Sequence, residues 1–522
     1  MALFSRKPKS RPEASPAAEE KPQSDATTTP SRGGLVGPYK YVVANAEQHP
    51  DKPALIHGPE VLTFAKVHEL ASRIGSTMRS NGVRPGNVVL LSPGTMIWDY
   101  VFSLAVMHEG ATVAFQATGE YNPAFRADIA FSNKPFRGFP EEKRVQVSND
   151  WLQSATTGIV LPPRSFEVEN PIVRLVETSG TTGTPKILEF DFDCFVERYQ
   201  TNSSGTLGEL GIEVNAERSF NQLPFRSYGG TMRAYSAIRF GHPYFMTTST
   251  RDEDARMFAY YKIEHLVTSP SRLAEMFRDE IPDQALANLK SIVTTGSALT
   301  EQLIARVQKR SNATIISRLG STEAGGVAWR KADSTEASSL AGKVYPWAEV
   351  VVLDENNNSL PVGETGRIGV KTPYMLHEYR LNPLATETSF IDGFLFAGDE
   401  GYLDASGQLF LQGRTDERIN AGGVKLDPSL LDEIVKAVNG VKDAAIFGFN
   451  RTNGLRGIAV AIVVTPGHDM SKVAPAVDQA LGSKRASAYL EVRDIPRNIM
   501  GKVQRLELEK MHSNDARKLG GE

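Results

Sequence analysis

The sequence predicts an α/β fold with two parts, a large amino-terminal domain and a small α+β domain at the carboxyl end. The chain has 522 residues, which is too many for a single hydrophobic core. Segments with strand-like and helix-like spacing of apolar residues alternate along most of the chain. Segments of period two follow from about residue 345, and after residue 414 helices and short strands return.

The first globular segments read as alternating helices and strands. Residues 41–48 and 64–82 space their apolar side chains as helices do. A buried strand is predicted at 87–93, a helix at 97–110 and a strand at 111–115. This alternation is typical of a parallel sheet with crossover helices.

The middle of the chain continues the same pattern after an interruption. Residues 121–150 are polar and show no periodicity, so they yield no prediction. The strand at 172–180 runs into a loop, which is expected to lead into a helix from residue 191. Segments 264–280 and 289–310 each predict a strand, a polar loop and a helix.

The last third of the chain predicts antiparallel strands and then a separate compact unit. Segments 350–360, 366–372 and 401–413 alternate as antiparallel strands do, and the last reads as a hairpin. We place the domain boundary at Asp416, which gives domains at 35–415 and 416–522.

Residues 1–34 are expected to form a disordered tail, because they are rich in Pro, Ser, Ala and Lys. They lack the apolar core of a secretion signal, and their acidic residues argue against a transit peptide. We therefore expect a cytoplasmic protein with no membrane span. The net charge of −3 gives no indication of a nucleic-acid partner. The single cysteine, Cys194, has no motif around it and is expected to be an apolar filler.

The segment "TSGTTGTPK" at 178–186 consists of hydroxyl side chains and glycines and ends in Pro-Lys. Glycines let backbone N–H groups approach an anion, hydroxyls add donors, and the lysine adds a positive charge. The segment therefore predicts a phosphate-binding loop. Pro185 precedes Lys186, so it is not a Walker A loop. The alternative is a flexible connector with an incidental lysine.

The run "SGTTGTPK" resembles the phosphate loop of the acyl-adenylate-forming superfamily, which includes acyl- and aryl-CoA synthetases, peptide-synthetase adenylation domains and luciferases. Further segments resemble other motifs of that superfamily in the same order. They are "SRLGSTEAGG" at 317–326, "GFLFAGDEGYLD" at 393–404, "GRTDERINAGGVKLDP" at 413–428 and "IPRNIMGKVQRLEL" at 495–508, with a weaker match, "IVTTGSAL", at 292–299. The resemblance covers roughly residues 40 to 510 and is most like an AMP-forming acid–CoA ligase.

The resemblance implies a more detailed fold. Residues 35–415 would form an AMP-binding and acyl-binding domain of mixed sheets sandwiched by helices, with a small β-barrel-like part. Residues 416–522 would form a small mobile α+β domain that carries the catalytic lysine, Lys502. The two domains would rotate about a hinge at Asp416, and Gly422 and Gly423 would line the path of the thiol after rotation.

The resemblance also assigns catalytic roles to four residues. Lys502 would contact the substrate carboxylate and the α-phosphate, and Glu323 would hold Mg²⁺. Thr322 would donate to the α-phosphate, and Lys186 would bind the β- and γ-phosphates. Taken alone, the segment around Thr322 would more simply be a helix N-cap, and the segment around Lys502 a basic strand or turn.

Further residues are implied in nucleotide binding and in the acyl pocket. Asp399 would bind the two ribose hydroxyls, and Arg414 would contact the ribose or a phosphate. The other expected nucleotide-binding residues are Thr178, Ser179, Gly180, Thr181, Thr182, Gly183, Thr184, Gly296, Ser297, Ala298, Leu319 and Gly320. The acyl pocket is expected to include Ser227, Tyr228, Met232 and Tyr235, which fit an aromatic or medium aliphatic group and could equally be core.

Three residues depart from the pattern of the superfamily. Leu319 stands where an aromatic residue usually stacks on adenine, and Ala397 stands where threonine is usual. Ser227, preceded by Arg226, stands where many members have a histidine near the acyl pocket. These departures weaken any inference about which acid is bound.

The resemblance implies an AMP-forming acid–CoA ligase that uses a small carboxylic acid, ATP, Mg²⁺ and CoA. The first alternative is a freestanding adenylation enzyme that loads a carrier-protein thiol. A more distant alternative is a non-catalytic nucleotide-binding protein that keeps the fold. The sequence leaves open whether the protein is a monomer or a homodimer.

Overall fold

The structure is a computed structural model that describes residues 37–178, 185–204, 216–278, 281–414, 419–421, 424–426, 428–451, 456–482, 486–498 and 501–519. Three groups of predicted residues lie outside these ranges. They are the tail at 1–34, the loop residues Ser179, Gly180, Thr181, Thr182, Gly183 and Thr184, and the hinge and thiol-loop residues Asp416, Gly422 and Gly423.

The α-helices in chain order are α1 Tyr39–Gln48, α2 Phe64–Ser80, α3 Met96–His108, α4 Asn149–Thr157, α5 Phe192–Ser204, α6 Tyr228–Arg239, α7 Arg251–Tyr261, α8 Pro270–Met276, α9 Asp283–Leu286, α10 Glu301–Arg310, α11 Pro383–Ser389, α12 Pro428–Lys436, α13 Met470–Leu481 and α14 Arg505–Leu519. Short 3-10 turns lie at Pro123–Phe125 and Glu141–Lys143. None of the helices in the described ranges is both long enough and apolar enough to span a membrane.

The strands in chain order are β1 Pro53–His57, β2 Glu60–Thr63, β3 Val88–Ser92, β4 Thr112–Phe115, β5 Ile129–Ser132, β6 Arg144–Gln146, β7 Ile172–Thr178, β8 Lys186–Asp191, β9 Ser219–Asn221, β10 Tyr244–Met246, β11 His265–Thr268, β12 Ser291–Thr295, β13 Thr314–Ser321, β14 Gly325–Lys331, β15 Leu340–Val344, β16 Glu349–Leu353, β17 Gly366–Lys371, β18 Phe390–Ile391, β19 Phe394–Leu395, β20 Asp399–Leu403, β21 Gln408–Arg414, β22 Ile419–Ala421, β23 Val424–Leu426, β24 Val441–Asn450, β25 Arg456–Val464 and β26 Ala488–Glu491.

The first α/β sheet has the strand order β6-β5-β3-β4-β7-β8. Strands β6, β5, β3, β4 and β7 are parallel, whereas β8 runs antiparallel to β7. The predicted helix from residue 191 is present as α5, but β8 lies between it and the predicted loop, and this strand was not predicted. In β8 the side chains of Ile187, Leu188 and Phe190 are buried, and this short run lies directly before α5, so its spacing does not distinguish a strand from the start of a helix.

The segment without a prediction, 121–150, contributes β5, β6 and the start of α4. Both strands are short, and the turns around them are largely exposed. A strand of three or four residues is too short to establish an alternating pattern, so no strand could be predicted there.

The second sheet combines a parallel half with an antiparallel half. Its order is β18-β19-β17-β20-β21-β15-β14-β13-β12-β11-β9-β10-β1-β2, and β16 pairs with β17. Strands β11, β12 and β13 are parallel, and the change to antiparallel pairing occurs between β13 and β14. The change therefore comes earlier than the predicted shift near residue 345, at the tight β13–β14 hairpin within the segment 317–326.

The main hydrophobic core lies between the two sheets. It includes Leu91 and Val113 from the first sheet and Leu55 and Met246 from the second, together with the helical residue Val106. Helices α2 and α3 pack on each other within it, and α6 adds further buried side chains. The resulting sandwich positions the carboxyl ends of β7, β11 and β12, where loops carry the predicted site residues.

The chain ends in a small α+β part. Strands β24, β25 and β26 form one sheet, and β22 and β23 form a separate pair. Helices α12 and α13 cover a core that contains Val435, Ile446, Val460 and Val477. The predicted fold class, a large mixed α/β domain followed by a small α+β part, is confirmed.

A buried ion pair provides a test of what stabilises this small part. Asp432 is 3% exposed and accepts hydrogen bonds from Arg505 Nη2 at 2.7 Å and from the Ile446 amide at 2.7 Å. Asp432→Ala leaves the half-buried Arg505 without its carboxylate, so we expect the free energy of unfolding to fall by about 3–5 kcal/mol in urea denaturation. Glu349→Ala breaks the pair with Lys371, in which both side chains are exposed, and should change the free energy of unfolding by less than about 1 kcal/mol. Equal effects of the two substitutions would contradict this account.

Candidate active site

The turn between β13 and β14 carries Thr322 and Glu323. Gly320 faces Gly326 and Ser321 faces Gly325 across the hairpin. A Cβ atom on Gly320 would lie 2.4 Å from the Gly325 carbonyl oxygen, so the close approach of the two strands requires glycine. The alternative of a helix N-cap at this segment is wrong, because a second strand follows the turn.

A buried arginine holds this turn in place. Arg198, on α5, is 3% exposed. Its Nη1 donates to the Thr322 carbonyl oxygen at 2.9 Å, and its Nη2 donates to the Glu323 carbonyl oxygen at 2.6 Å. Its Nε donates to the carbonyl oxygen of Tyr374 at 3.0 Å. Arg198 was not predicted, since a single arginine within a helical segment carries no distinguishing pattern.

Glu323, Lys186 and Tyr379 form one cluster. Glu323 is 9% exposed, and its Oε1 accepts a hydrogen bond from the Tyr379 hydroxyl at 2.8 Å. The Nζ atom of Lys186 lies 4.4 Å from the centroid of the Tyr379 ring. Burial and the charge of Glu323 raise the pKa of Tyr379, so its hydroxyl remains a donor at neutral pH. Glu323 and Lys186, two of the predicted catalytic residues, thus both contact Tyr379. No sequence pattern had indicated this tyrosine.

Thr178 and Lys186 flank the segment predicted to be a phosphate-binding loop. They face each other in the β7–β8 pair, and the Thr178 hydroxyl donates to the Lys186 carbonyl oxygen at 3.4 Å. This pairing brings the two ends of the loop together directly beside the cluster of Glu323 and Tyr379.

Asp399 and Arg414 are also paired across strands. They face each other in the β20–β21 pair, and Arg414 Nη2 donates to the carbonyl oxygen of Ala397. Burial and Glu323 raise the pKa of Tyr379, and the charge of Arg414 lowers it by a smaller amount. Arg414 therefore lies within electrostatic reach of the cluster.

The remaining predicted nucleotide-binding residues lie near the same edge of the sheet. Gly296, Ser297 and Ala298 follow β12 and are exposed, and Gly296 has a positive φ of 101°. The last residue of β12 pairs with Arg318, which immediately precedes Leu319. Leu319 and Ala397 both pack on the same apolar cluster. At these two positions, where the superfamily usually has an aromatic residue and a threonine, the chain therefore makes aliphatic contacts.

The loop that carries Lys502 rests on the large domain. Arg497 and Val503 bridge its two sides, and the Lys502 amide donates to Asn498 Oδ1 at 3.0 Å. A Cβ atom on Gly501 would lie 2.7 Å from the Ser271 hydroxyl oxygen at the start of α8. Helix α8 directly follows β11, so Gly501 lies beside the end of the strand that precedes this helix.

The predicted acyl-pocket residues have distinct environments. The Ser227 hydroxyl caps α6, accepting from the Gly230 amide at 3.2 Å and donating to the Pro224 carbonyl oxygen at 2.6 Å. The Tyr228 ring stacks on Phe190 with centroids 5.1 Å apart. Met232 and Tyr235 are 5% and 0% exposed and belong to the main core.

Arg226, beside Ser227, forms a buried ion pair. Its guanidinium donates to the two carboxylate oxygens of Asp99 at 2.7 and 2.9 Å. Ser227 and Arg226 thus have packing and capping contacts of their own at the position where the superfamily often has a histidine.

The described residues contain no group of three or more side chains arranged to hold a metal ion. Glu323 instead presents one carboxylate beside the loop bounded by Thr178 and Lys186. This arrangement suits Mg²⁺, which is usually bound by one or two carboxylates together with phosphate oxygens and water. The arrangement can therefore bind a polyphosphate and its metal ion, with cations and one carboxylate converging on them.

The sequence matches the AMP-binding enzyme family over residues 42–119 and 138–380. It is 23% identical to the fatty acid–[acyl-carrier-protein] ligase ScoC of Streptomyces coeruleorubidus, covering 91% of this chain and 96% of the relative. It is 22% identical to a 2-succinylbenzoate–CoA ligase of Listeria innocua serovar 6a, covering 89% and 97%. The fold is similar to that of O-succinylbenzoate coenzyme A synthetase (MenE) from Bacillus subtilis in complex with ATP and magnesium ion, with a TM-score of 0.71, 18% identity and coverage of 90% and 99%.

Arg198 provides a direct test of how the turn is held. Arg198→Met removes donors to three carbonyl oxygens that are fixed by the fold, so we expect the free energy of unfolding to fall by about 2–4 kcal/mol. We also expect hydrogen exchange at the amides of residues 322–325 to accelerate. The control is Arg306→Met, on the exposed side of α10. It should leave the free energy of unfolding within about 0.5 kcal/mol of the wild type and the exchange of amides 322–325 unchanged. Unchanged exchange at the turn in Arg198→Met would refute the assignment.

Proposed function

Since the chain belongs to the AMP-binding enzyme family, we propose that it joins a carboxylic acid to a thiol, most simply that of CoA, by way of an acyl-adenylate. It is an adenylate-forming acid ligase. In the first half-reaction a carboxylate oxygen attacks the α-phosphorus of ATP and pyrophosphate leaves. In the second, the thiol attacks the acyl carbon and AMP leaves.

The observation that carries this proposal is the cluster of Glu323, Tyr379 and Lys186 beside the phosphate-binding loop. Lys186 follows the loop and lies over the Tyr379 ring. Glu323 is held by the hydroxyl of the same tyrosine. Lys186 and Glu323 are both positioned by Tyr379. A lysine and a carboxylate held close together in this way are suited to binding the phosphates and the metal ion of a metal-bound triphosphate.

The residues of this cluster have separate tasks in the first half-reaction. Lys186 binds the β- and γ-phosphates with the loop amides and hydroxyls of residues 178–184. Glu323 would hold Mg²⁺, which when bound would supply positive charge to the phosphates. Thr322, on the same turn, donates to the α-phosphate. Asp399 accepts from the ribose hydroxyls, and Arg414 holds the ribose or a phosphate.

Lys502 provides the cation that the attacking group needs. A carboxylate and a triphosphate repel each other, and a lysine between them offsets this repulsion as they approach. The contact of Gly501 with Ser271 supports the proposal that this loop docks on the large domain during adenylation. We propose that the small domain, 416–522, then rotates about Asp416 and brings the Gly422–Gly423 loop to the thiol.

Two thiols are candidates for the acceptor in the second half-reaction, CoA and a carrier protein. The Listeria relative is named as a CoA ligase, and the Streptomyces relative as an acyl-carrier-protein ligase. We favour CoA, and loading of a carrier protein is the second candidate. AMP release with acid, ATP and either CoA or a phosphopantetheinylated carrier protein distinguishes the two.

The proposed role of Lys502 gives the first activity prediction. In Lys502→Ala, acid-dependent exchange of pyrophosphate into ATP should fall at least about 100-fold, because the offsetting charge is lost. Thioester formation from supplied acyl-adenylate should remain within about 3-fold of wild type, because that half-reaction does not use the lysine. Lys472→Ala, which changes an exposed lysine of the small part, is the control and should retain both. Equal loss of both half-reactions in a folded Lys502→Ala protein would contradict the two-position mechanism.

The docking of Gly501 gives a second prediction. Gly501→Ala should slow pyrophosphate exchange about 10-fold or more, because the new Cβ would lie 2.7 Å from the Ser271 hydroxyl at a φ of 80°. Gly467→Ala is a matched control in the same part, since its φ is 87° and its Cβ would meet nothing within 4 Å. Ser271→Ala combined with Gly501→Ala should recover part of the exchange rate. If the double variant is as slow as Gly501→Ala, the contact does not limit docking.

A further inference from the structure

The loop that carries Lys502 is held at the peptide group directly before this residue. Arg497 Nη1 donates to the Gly501 carbonyl oxygen at 2.7 Å. Asn498 Oδ1 accepts from the Lys502 amide at 3.0 Å. The carbonyl oxygen of Gly501 and the amide of Lys502 belong to one planar peptide group, so two side chains fix both of its polar ends.

The peptide group that follows Lys502 is hydrogen-bonded as well. The Asn498 amide donates to the Lys502 carbonyl oxygen at 2.9 Å, and Arg497 and Val503 form an antiparallel bridge. The peptide planes on both sides of the Lys502 Cα atom are therefore held. Since φ and ψ are the only soft backbone dihedrals of a residue, this sets the direction in which the Lys502 side chain leaves the backbone.

Arg497 also connects this loop to the sheet of the small part. Its Nε and Nη2 atoms donate to the two carboxylate oxygens of Asp443 at 3.2 and 2.7 Å. Asp443 is on β24, and Lys436 Nζ lies 4.0 Å from its Oδ1. A guanidinium group presents its donors in a rigid planar fork, so this one side chain binds a carboxylate and a carbonyl oxygen at the same time.

We propose that Arg497, anchored by Asp443, is a positioning residue that orients Lys502 for the adenylation half-reaction. The inference rests on the proposed function, because it takes the Lys502 ammonium group to act on the carboxylate and the α-phosphate. A lysine carries a point charge on a flexible stem, so its effect on two approaching anions depends on where its backbone is held. A displacement of about 1 Å can lower the rate of a well-oriented reaction about 100-fold.

The activity test changes the arginine and measures each half-reaction. In Arg497→Met, acid-dependent exchange of pyrophosphate into ATP should slow about 10–100-fold, because Lys502 is no longer held. Thioester formation from supplied acyl-adenylate should stay within about 3-fold of wild type. Arg497→Lys keeps the positive charge but lacks the planar fork, so it should slow exchange to a similar extent. A wild-type rate of exchange in Arg497→Lys would show that charge alone is needed and would overturn the inference.

Arg456→Met is the matched control in the small part. Arg456 donates from Nη1 and Nη2 to the two carboxylate oxygens of Glu509 at 2.7 and 2.8 Å. Its side chain is 37% exposed, against 22% for Arg497. Asp443 lies near the start of β24, whereas Arg456 pairs with Asn450 at the end of that strand. Arg456→Met should therefore keep both half-reactions within about 3-fold of wild type. If it slows exchange as much as Arg497→Met does, the inference is overturned.

A double variant tests whether Arg497 acts through Lys502. If it does, Arg497→Met combined with Lys502→Ala should exchange as slowly as Lys502→Ala alone, to within about 3-fold. Independent effects would multiply and slow the double variant a further 10-fold or so, which would overturn the inference. Hydrogen exchange at the Gly501 and Lys502 amides should accelerate in Arg497→Met and not in Arg456→Met. Unchanged exchange at these amides in Arg497→Met would also count against the inference.

The outcomes separate this inference from the proposed function. If the wild type and Arg497→Met exchange pyrophosphate at similar rates, the inference is overturned and adenylation stands. If a folded Arg497→Met protein loses both half-reactions equally, the arginine has a general structural role and the inference is again overturned. If no acid supports exchange with the wild type, the proposed function falls and the inference falls with it.

Discussion

The contact between Arg198 and the β13–β14 turn is the interaction on which the rest of the site depends. A guanidinium that is 3% exposed must keep its acceptors, because a buried cation without them is strongly unfavourable. The carbonyl oxygens of Thr322 and Glu323 are therefore fixed toward α5. The Glu323 side chain extends to Tyr379, and Tyr379 in turn supports Lys186. One buried charge thus orients a carboxylate and, through a tyrosine, a lysine on the other sheet.

The distribution of charge follows from the chemistry of joining two anions. The chain as a whole carries a net charge of −3, so the attraction for ATP and an acid has to be local. Lys186, Arg414 and Lys502 come from three separate regions of the chain. In the proposed reaction these cations act together on the two anions, and interactions that strengthen in the transition state accelerate the step.

The sequence predicted the elements that have a long periodic pattern and the residues that belong to compact motifs. The helices α2 and α3, the hairpin β20–β21 and the α+β character of the carboxyl-terminal part follow from local patterns. Glu323 and Lys186 were predicted from two unrelated motifs, and the structure places them around one ring. Tyr379 and Arg198 were not predicted, because each acts through contacts between segments far apart in sequence. Strand β8 was missed for a related reason, since six residues between a proline and a helix do not show which element they form.

The central claim is that the acid is activated by bonding one of its own oxygens to the α-phosphorus of ATP. Isotope transfer tests this claim most directly. The enzyme would be incubated with ATP, a thiol acceptor and an acid labelled with ¹⁸O in its carboxylates, and the AMP would be analysed by mass spectrometry. The account predicts one ¹⁸O atom in each AMP formed, because the bridging oxygen stays with the phosphate when the thiol displaces it. Unlabelled AMP, or ADP carrying no label beside labelled orthophosphate, would show a different mode of activation and contradict the account.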